Sequence, residues 1–341
     1  MKNSHPQRRI AQLSVSAAAA AVLAAGSSSL AASEVRLTAS HQWPGGQGDF
    51  RDEMVQILAD RAAESDTGLE IRVYPDSSLY GAREQWPAIA RGRLDITALP
   101  LAYAGGRHPE FNLTLMPGLV KNHDHAQRLN ESAFMDEIVE VMEDNGVKVL
   151  AHTWLAGGFG SNEQCITAPE DVDGAQIRGA GQSFETMLSA AGASINSMPS
   201  SEIYTALQTG VLDSALTSSA SWVSYRLYEQ TECVTPPGDY ALWFMYEPIL
   251  ISKASFNDLT EAQQQVLLEA GEEAEAFAYE AAQESDQEMI ELFREQGVEV
   301  AFMDDSDFEA WRSVAEESAF PQFVESTPRG QELLDKALSV D

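Results

Sequence analysis

Positive charge is scarce in this sequence. Beyond residue 31 the only lysines are Lys121, Lys148, Lys253 and Lys336, and the whole chain of 341 residues sets 21 basic side chains against 53 acidic ones, a net charge of -32. A phosphate-binding surface needs clustered Lys and Arg to release counterions, so nucleic acid is excluded as a partner. Cysteine is nearly absent as well. Cys165 and Cys233 stand alone, neither in a CxxC pair nor beside a histidine, which speaks against metal or catalytic thiol roles. No GxSxG, HExxH, P-loop or EF-hand pattern occurs. The glycine-rich piece Arg178-Gly179-Ala180-Gly181 has Phe184 where a dinucleotide fingerprint wants a third glycine. His123-Asp124-His125 lacks a third ligand and reads as a solvated helix start. Nothing calls for a cofactor or a metal, and acidic pairs are too common here to signal acid-base chemistry.

What is present begins with the N-terminus. Residues 1–31 carry Lys2, Arg8 and Arg9, then an apolar stretch from Ala17 to Ala25, then Ser29-Leu30-Ala31. That order is the layout of a secretory signal, and its apolar centre is too short to span a bilayer. Its removal leaves a net charge of -35 on an exported, periplasmic chain. Self-repulsion on that scale is relieved by salt, so the acidic surface reads as adaptation to a saline, halophilic setting in preference to a cationic partner. In an oxidising compartment Cys165 and Cys233 can pair as a disulfide; two buried thiols are the alternative. Hydrophobic residues make up 44% of the chain, enough for a real core.

The body alternates helix and strand. Met54, Ile57, Leu58 and Ala62 share a helical face before the alternating strand Leu69-Glu70-Ile71-Arg72-Val73, and a helix over Ala133 to Glu143 precedes a strand from Val147 to Thr153. Two stretches echo each other: Ala88 to Asp95 and Ala206 to Asp213 share Ala-aliphatic-x-x-Gly-x-Leu-Asp. Each puts glycine where a helix needs a left-handed terminus, then starts an apolar strand. The fold class is therefore α/β, with two lobes built from similar units. From Thr260, with Gln263 completing a capping box, an apolar stripe runs towards Phe293. A helix of roughly 35 residues would be about 50 Å long, enough to cross from one lobe to the other. Aromatic residues recur near strand ends, at Trp43, Tyr103, Trp154 and Trp243, as walls of a small-molecule cleft.

The segment from Pro169 to Arg178, PEDVDGAQIR, resembles the P-E-D-x-x-G-x-K-x-R stretch of substrate-binding subunits of tripartite ATP-independent periplasmic (TRAP) transporters, the DctP-like family. Glu202-Ile203-Tyr204-Thr205-Ala206-Leu207-Gln208-Thr209-Gly210 is similar to a second element of that family, and Gly92-x-Leu94-Asp95 and Leu259-Thr260 to further ones. The resemblance implies interleaved lobes: 32–154 with about 243–280, and 155–242 with about 281–341. It implies that Arg178 binds the ligand carboxylate bidentately, that Thr217 stands where many relatives place an Asn, and that the partners are a small organic solute and membrane permease subunits. A monomer is expected. The stretch from Ala156 to Asn162 has no second arginine, so a single cationic anchor suits a monocarboxylate or zwitterion better than a dicarboxylate. Trp43 and Tyr103 of the first lobe would face Arg178 and Thr217 of the second, with Trp154 and Trp243 lining the cleft. Glu247 reads as a salt-bridged surface acid, its alternative being an ammonium anchor. Two rival functions remain: the same fold binding a small amine or amino-alcohol, and an exported hydrolase or isomerase using Ser218 with His152.

Overall fold

Two β-sheets carry the fold, and the chain passes between them three times. The computed structural model describes residues 34–239 and 241–341; the leader read over 1–31 lies outside the described residues. The strands are β1 (Val35–Ser40), β2 (Leu69–Tyr74), β3 (Ile96–Ala98), β4 (Val147–Ala151), β5 (Trp154–Ser161), β6 (Gln176–Gly179), β7 (Ser194–Ser197), β8 (Ser214–Ser218), β9 (Cys233–Thr235), β10 (Trp243–Tyr246), β11 (Ile249–Ser252) and β12 (Glu299–Val300). The first sheet has the order β2-β1-β3-β11-β4, and the second β12-β9-β5-β8-β6-β7 with β10 paired to β5. The two-lobed α/β architecture expected from the sequence is therefore present. The chain leaves the first sheet as β4 becomes β5 and returns as β10 becomes β11. At this double crossing Glu247 N–H donates to Thr153 O at 2.8 Å.

The third passage is the helix Glu261–Glu295, 35 residues and unbroken, capped as expected by reciprocal Thr260 and Gln263 bonds. Its stretch from Leu267 to Ala282 buries Leu267, Ala270, Ala274, Ala278 and Ala282 with Leu37, Ile71, Leu155 and Ile251. Its second half buries Met289 and Phe293 with Ile203, Leu207 and Trp222. One rigid rod thus contributes to the cores of both lobes, and its small alanines let it lie close to the first sheet. Among the described residues no helix is long and apolar enough to cross a membrane.

The sequence echo has a structural meaning. Gly92 and Gly210 both take left-handed backbone angles, with φ of 63° and 69°. The aspartates that follow then do the same job in each sheet. Asp95 Oδ2 accepts from Thr38 N–H at 2.8 Å, and Asp213 Oδ2 accepts from Gln176 N–H at 2.9 Å. Each carboxylate fastens a neighbouring parallel strand, β1 in one sheet and β6 in the other.

Residues 154–161 form a central strand of the second sheet, where the sequence predicts a strand-ending Trp154 and, over Ala156 to Asn162, shows only the lack of a second arginine. Trp154 opens this strand; it does not close the one before it. The glycines hid the strand because they lower strand propensity, yet packing demands them. A Cβ on Gly157 would overlap Thr217 O, one on Gly158 would overlap Thr235 O, and one on Gly160 would overlap the indole of Trp222. Trp222 is held there by donating Nε1–H to Gly158 O at 3.0 Å. Beside this strand Cys165 and Cys233 form a disulfide with a Cα separation of 5.1 Å across 68 residues of sequence. Closing a loop of that length contributes on the order of 4 kcal/mol in the chain-entropy picture. Gly160→Ala should lower unfolding free energy by about 1–3 kcal/mol through overpacking against Trp222; urea denaturation reads this, and unchanged stability would contradict the close approach.

Candidate functional site

The last residue but one of β6 is Arg178, which is 1% exposed. Its Nε–H donates to Met198 O at 3.0 Å, Nη1 to Leu216 O at 2.7 Å and Nη2 to Tyr103 Oη at 2.9 Å. The carbonyl of Leu216 belongs to β8, which runs parallel beside β6 with Arg178 opposite Ala215. Tyr103 comes from the other lobe, on the 3-10 turn Leu101–Ala104 after β3. Its hydroxyl also accepts from Ser200 N–H at 3.0 Å. All three acceptors around Arg178 are neutral. No carboxylate of the described residues lies within ion-pair distance, and one N–H on each terminal nitrogen is left over. Burying an ion without a counter-charge at ion-pair distance is costly, and a negative group on the leftover N–H groups would offset that cost.

A second guanidinium, not anticipated from the sequence, lies buried at the start of the helix Phe50–Glu64. Arg51 Nε and Nη2 donate to the two oxygens of Asp49 at 2.8 and 2.7 Å. Its Nη1 reaches Ser218 Oγ at 3.1 Å and Ser221 Oγ at 3.0 Å in the other lobe, and the guanidinium stacks over Trp43 at 4.7 Å from the ring centre. Asp49 is the N-cap of this helix, so one carboxylate both caps the helix and neutralises the arginine. A cation in the first turn of a helix opposes the macrodipole, and that oddity was the available signal in the sequence.

Two guanidinium groups are therefore buried here, one more than the sequence indicated, and only Arg178 lacks a carboxylate partner. Glu247 is corrected too: it is 3% exposed at the double crossing, not a surface acid. Its Oε2 lies 3.6 Å from Arg51 Nη1, too far for a hydrogen bond, and has no other partner. Burial raises its pKa to about 7, with Arg51 pulling the other way and Asp49 adding to the rise.

The remaining sequence candidates divide. Thr217 is buried on β8 next to Leu216, whose carbonyl binds Arg178, and pairs with Gly158 of β5. Trp43 and Trp243 are buried with indole N–H groups that have no partner, as are both side-chain polar atoms of Gln42. Trp243 pairs with Gly157, which is itself in register with Ser218. Tyr225, missed in the sequence, donates to Gln42 O at 3.0 Å across the lobes. The contacts of Trp154 lie elsewhere: its N–H donates to Asn130 Oδ1 at 2.8 Å and its ring packs on Tyr246. Ser218 and His152 are not brought together. Ser218 donates to Ser221 Oγ at 2.9 Å and accepts from Arg51, while His152 Nδ1 meets Tyr246 Oη at 2.6 Å. His125, read as part of a solvated helix start, is 1% exposed and accepts from Lys121 N–H.

Sequence comparison decides the family, because the model of bacterial extracellular solute-binding proteins of family 7, DctP, matches residues 40–324. The chain belongs to the DctP family. It is similar to a solute-binding protein of Albidiferax ferrireducens, 37% identical over 291 residues that cover 84% of this chain and 86% of that one. The 2,3-diketo-L-gulonate-binding periplasmic protein YiaO of Escherichia coli is 27% identical over 271 residues, 78% of this chain and 80% of that one. Among solved structures, a TRAP periplasmic solute-binding protein from Rhodoferax ferrireducens with bound malonate superposes with a TM-score of 0.86 at 36% identity. The match covers 89% of this chain and 98% of that one. DctP proteins are periplasmic receptors for small organic acids that work with membrane transporter components; they are not enzymes.

The Arg51–Asp49 pair allows a direct test of this geometry. Asp49→Ala leaves a buried guanidinium without its fork partner and should cost about 3 kcal/mol of unfolding free energy. Arg51→Met combined with Asp49→Leu should restore much of that loss. Urea unfolding reads both, and an Asp49→Ala protein as stable as the parent would contradict the pairing.

Proposed function

We propose that this protein captures a small organic acid bearing one carboxylate between its lobes and delivers it to a TRAP-type membrane transporter. The observation that carries the reading is Arg178, buried, bonded only to neutral oxygens and lacking a counter-charge. A ligand carboxylate supplies that charge through the leftover N–H groups of the fork, whose planar geometry suits two parallel bonds. Arg51 does not offer a second anionic position, since Asp49 already occupies its fork. This supports a monocarboxylate over a dicarboxylate, although the Rhodoferax relative holds malonate.

In this reading Tyr103, Trp43 and Trp243 join Arg178 and Thr217 as the ligand wall. The lobes meet through Tyr103 with Arg178, Arg51 with Ser218 and Ser221, and Tyr225 with Gln42. A ligand bound by both lobes favours the state in which these contacts coexist, so closure is a population shift. Lobe boundaries near 154 and 280 fit two of the passages between the sheets, whereas the boundary expected at 242 moves to the segment 247–248 because β10 pairs with β5; export with removal of residues 1–31 fits the family's compartment. The closed form is the one a permease would recognise.

A thermal-shift screen of pyroglutamate, lactate, galacturonate, malonate, succinate and ethanolamine, followed by calorimetry, tests the assignment. Monocarboxylates should raise the melting temperature most. Arg178→Ala should weaken their binding by about 3 kcal/mol, roughly a hundredfold in Kd. Undiminished affinity in Arg178→Ala, or a response to ethanolamine alone, would refute it.

A further inference from the structure

The buried charges at the crossing do not balance once a ligand anion is added. Arg51, Arg178, Asp49 and Glu247, all ionised, sum to zero without any ligand. A ligand carboxylate on Arg178 then leaves one uncompensated negative charge in a site shut off from water, which is costly at low dielectric. Two remedies exist: a positive group on the ligand, or a proton on the protein. The surroundings favour the second. Trp43 Nε1 and Trp243 Nε1 can only donate and an ammonium has nothing to accept with, while Gln42, with both side-chain polar atoms unpartnered, can turn its amide either way. The Arg51 guanidinium over Trp43 adds a further positive charge beside that wall.

We infer that the anion is captured together with a proton, which resides on Glu247. The inference rests on the Arg178 reading above and assigns to Glu247 the choice of charge type: a single anion without an ammonium group. The geometry singles out this acid among its neighbours. Asp49 is held by both arms of the Arg51 fork, whereas Glu247 Oε2 has no hydrogen bond and stands 3.6 Å from Nη1. The charged groups facing Glu247 are Arg51 and Asp49 from the helix start and Arg178 from the end of β6. Of the hydroxyls beside the two guanidinium groups, Tyr225 donates to Gln42 O and Tyr103 accepts from Arg178. On the paired crossing segment the His152 ring is turned to Tyr246 Oη, and its backbone N–H donates to Glu275 Oε2. With its acidity already weakened by burial to about 7, Glu247 takes up a proton at little cost near neutral pH. The sign follows: the free protein sheds this proton as pH rises through about 7, so anion affinity is full below that value and falls above it by up to tenfold per pH unit.

Calorimetry of pyroglutamate or lactate binding at pH 8, in phosphate and in Tris, reads proton uptake directly because the two buffers differ in ionisation enthalpy. Uptake approaching one proton per ligand is expected, together with a roughly tenfold loss of affinity from pH 7.5 to 8.5. Glu247→Gln should bind the same acid with uptake near zero and a flat pH profile. If the acid binds in an Arg178-dependent way with no buffer dependence in the parent protein, or if the dependence persists in Glu247→Gln, this inference fails and the Arg178 reading stands. If no carboxylate binds, or binding ignores Arg178→Ala, both fall.

Discussion

A guanidinium buried to 1% exposure and bonded only to neutral oxygens sets the terms for everything around it. It is held by the end of β6, by a carbonyl of β8 and by a tyrosine from the other lobe, so its position depends on both sheets and on their approach. The scarcity of lysine sharpens the point. In a chain of net charge -32, any cation placed in a cleft has abundant acids to choose from, and Arg178 touches none of them. Two arginines are buried here, and they differ in one respect: Arg51 has its carboxylate and Arg178 does not.

The scaffold that keeps them apart is built from simple parts. Two helix-Gly-strand units use an aspartate in the same way to fasten a neighbouring strand, one in each lobe. A pair of crossing strands and a 35-residue helix then join the lobes. The helix is stiff and packs into both cores, whereas the crossing strands pass through short irregular segments at 152–153 and 247–248. Glu247 sits in one of those segments, at the place where lobe geometry and buried charge meet. A change in its protonation would act on the Arg51 guanidinium and on the junction together.

Much of this was legible in the residues. The capping box at Thr260 and Gln263, the stripe to Phe293, the left-handed glycines at 92 and 210 and the strand at Leu69 follow from local rules, and the structure has them. Arg178 emerged from a segment whose spacing resembles one family. What stayed hidden was whatever tertiary contact decides. The strand over 154–161 is glycine-rich because Trp222 and two neighbouring backbones press against it, and no sequence window contains those neighbours. Arg51 carried no motif and Glu247 read as a surface acid, since either is usually solvated; only the fold places them 3.6 Å apart away from water. Trp154 met the strand-end criterion as well as Trp43 did, yet its partners are Asn130 and Tyr246. Proximity to a strand end does not say which way a side chain turns.

The central claim is that a ligand carboxylate is the missing counter-charge of Arg178. A crystal structure of the protein with a bound monocarboxylate tests it most directly. The account predicts both carboxylate oxygens within hydrogen-bond distance of Arg178 Nη1 and Nη2, with Asp49 still paired to Arg51. A ligand whose carboxylate lies on Arg51 or in solvent, with Arg178 still bonded only to neutral oxygens, would contradict it.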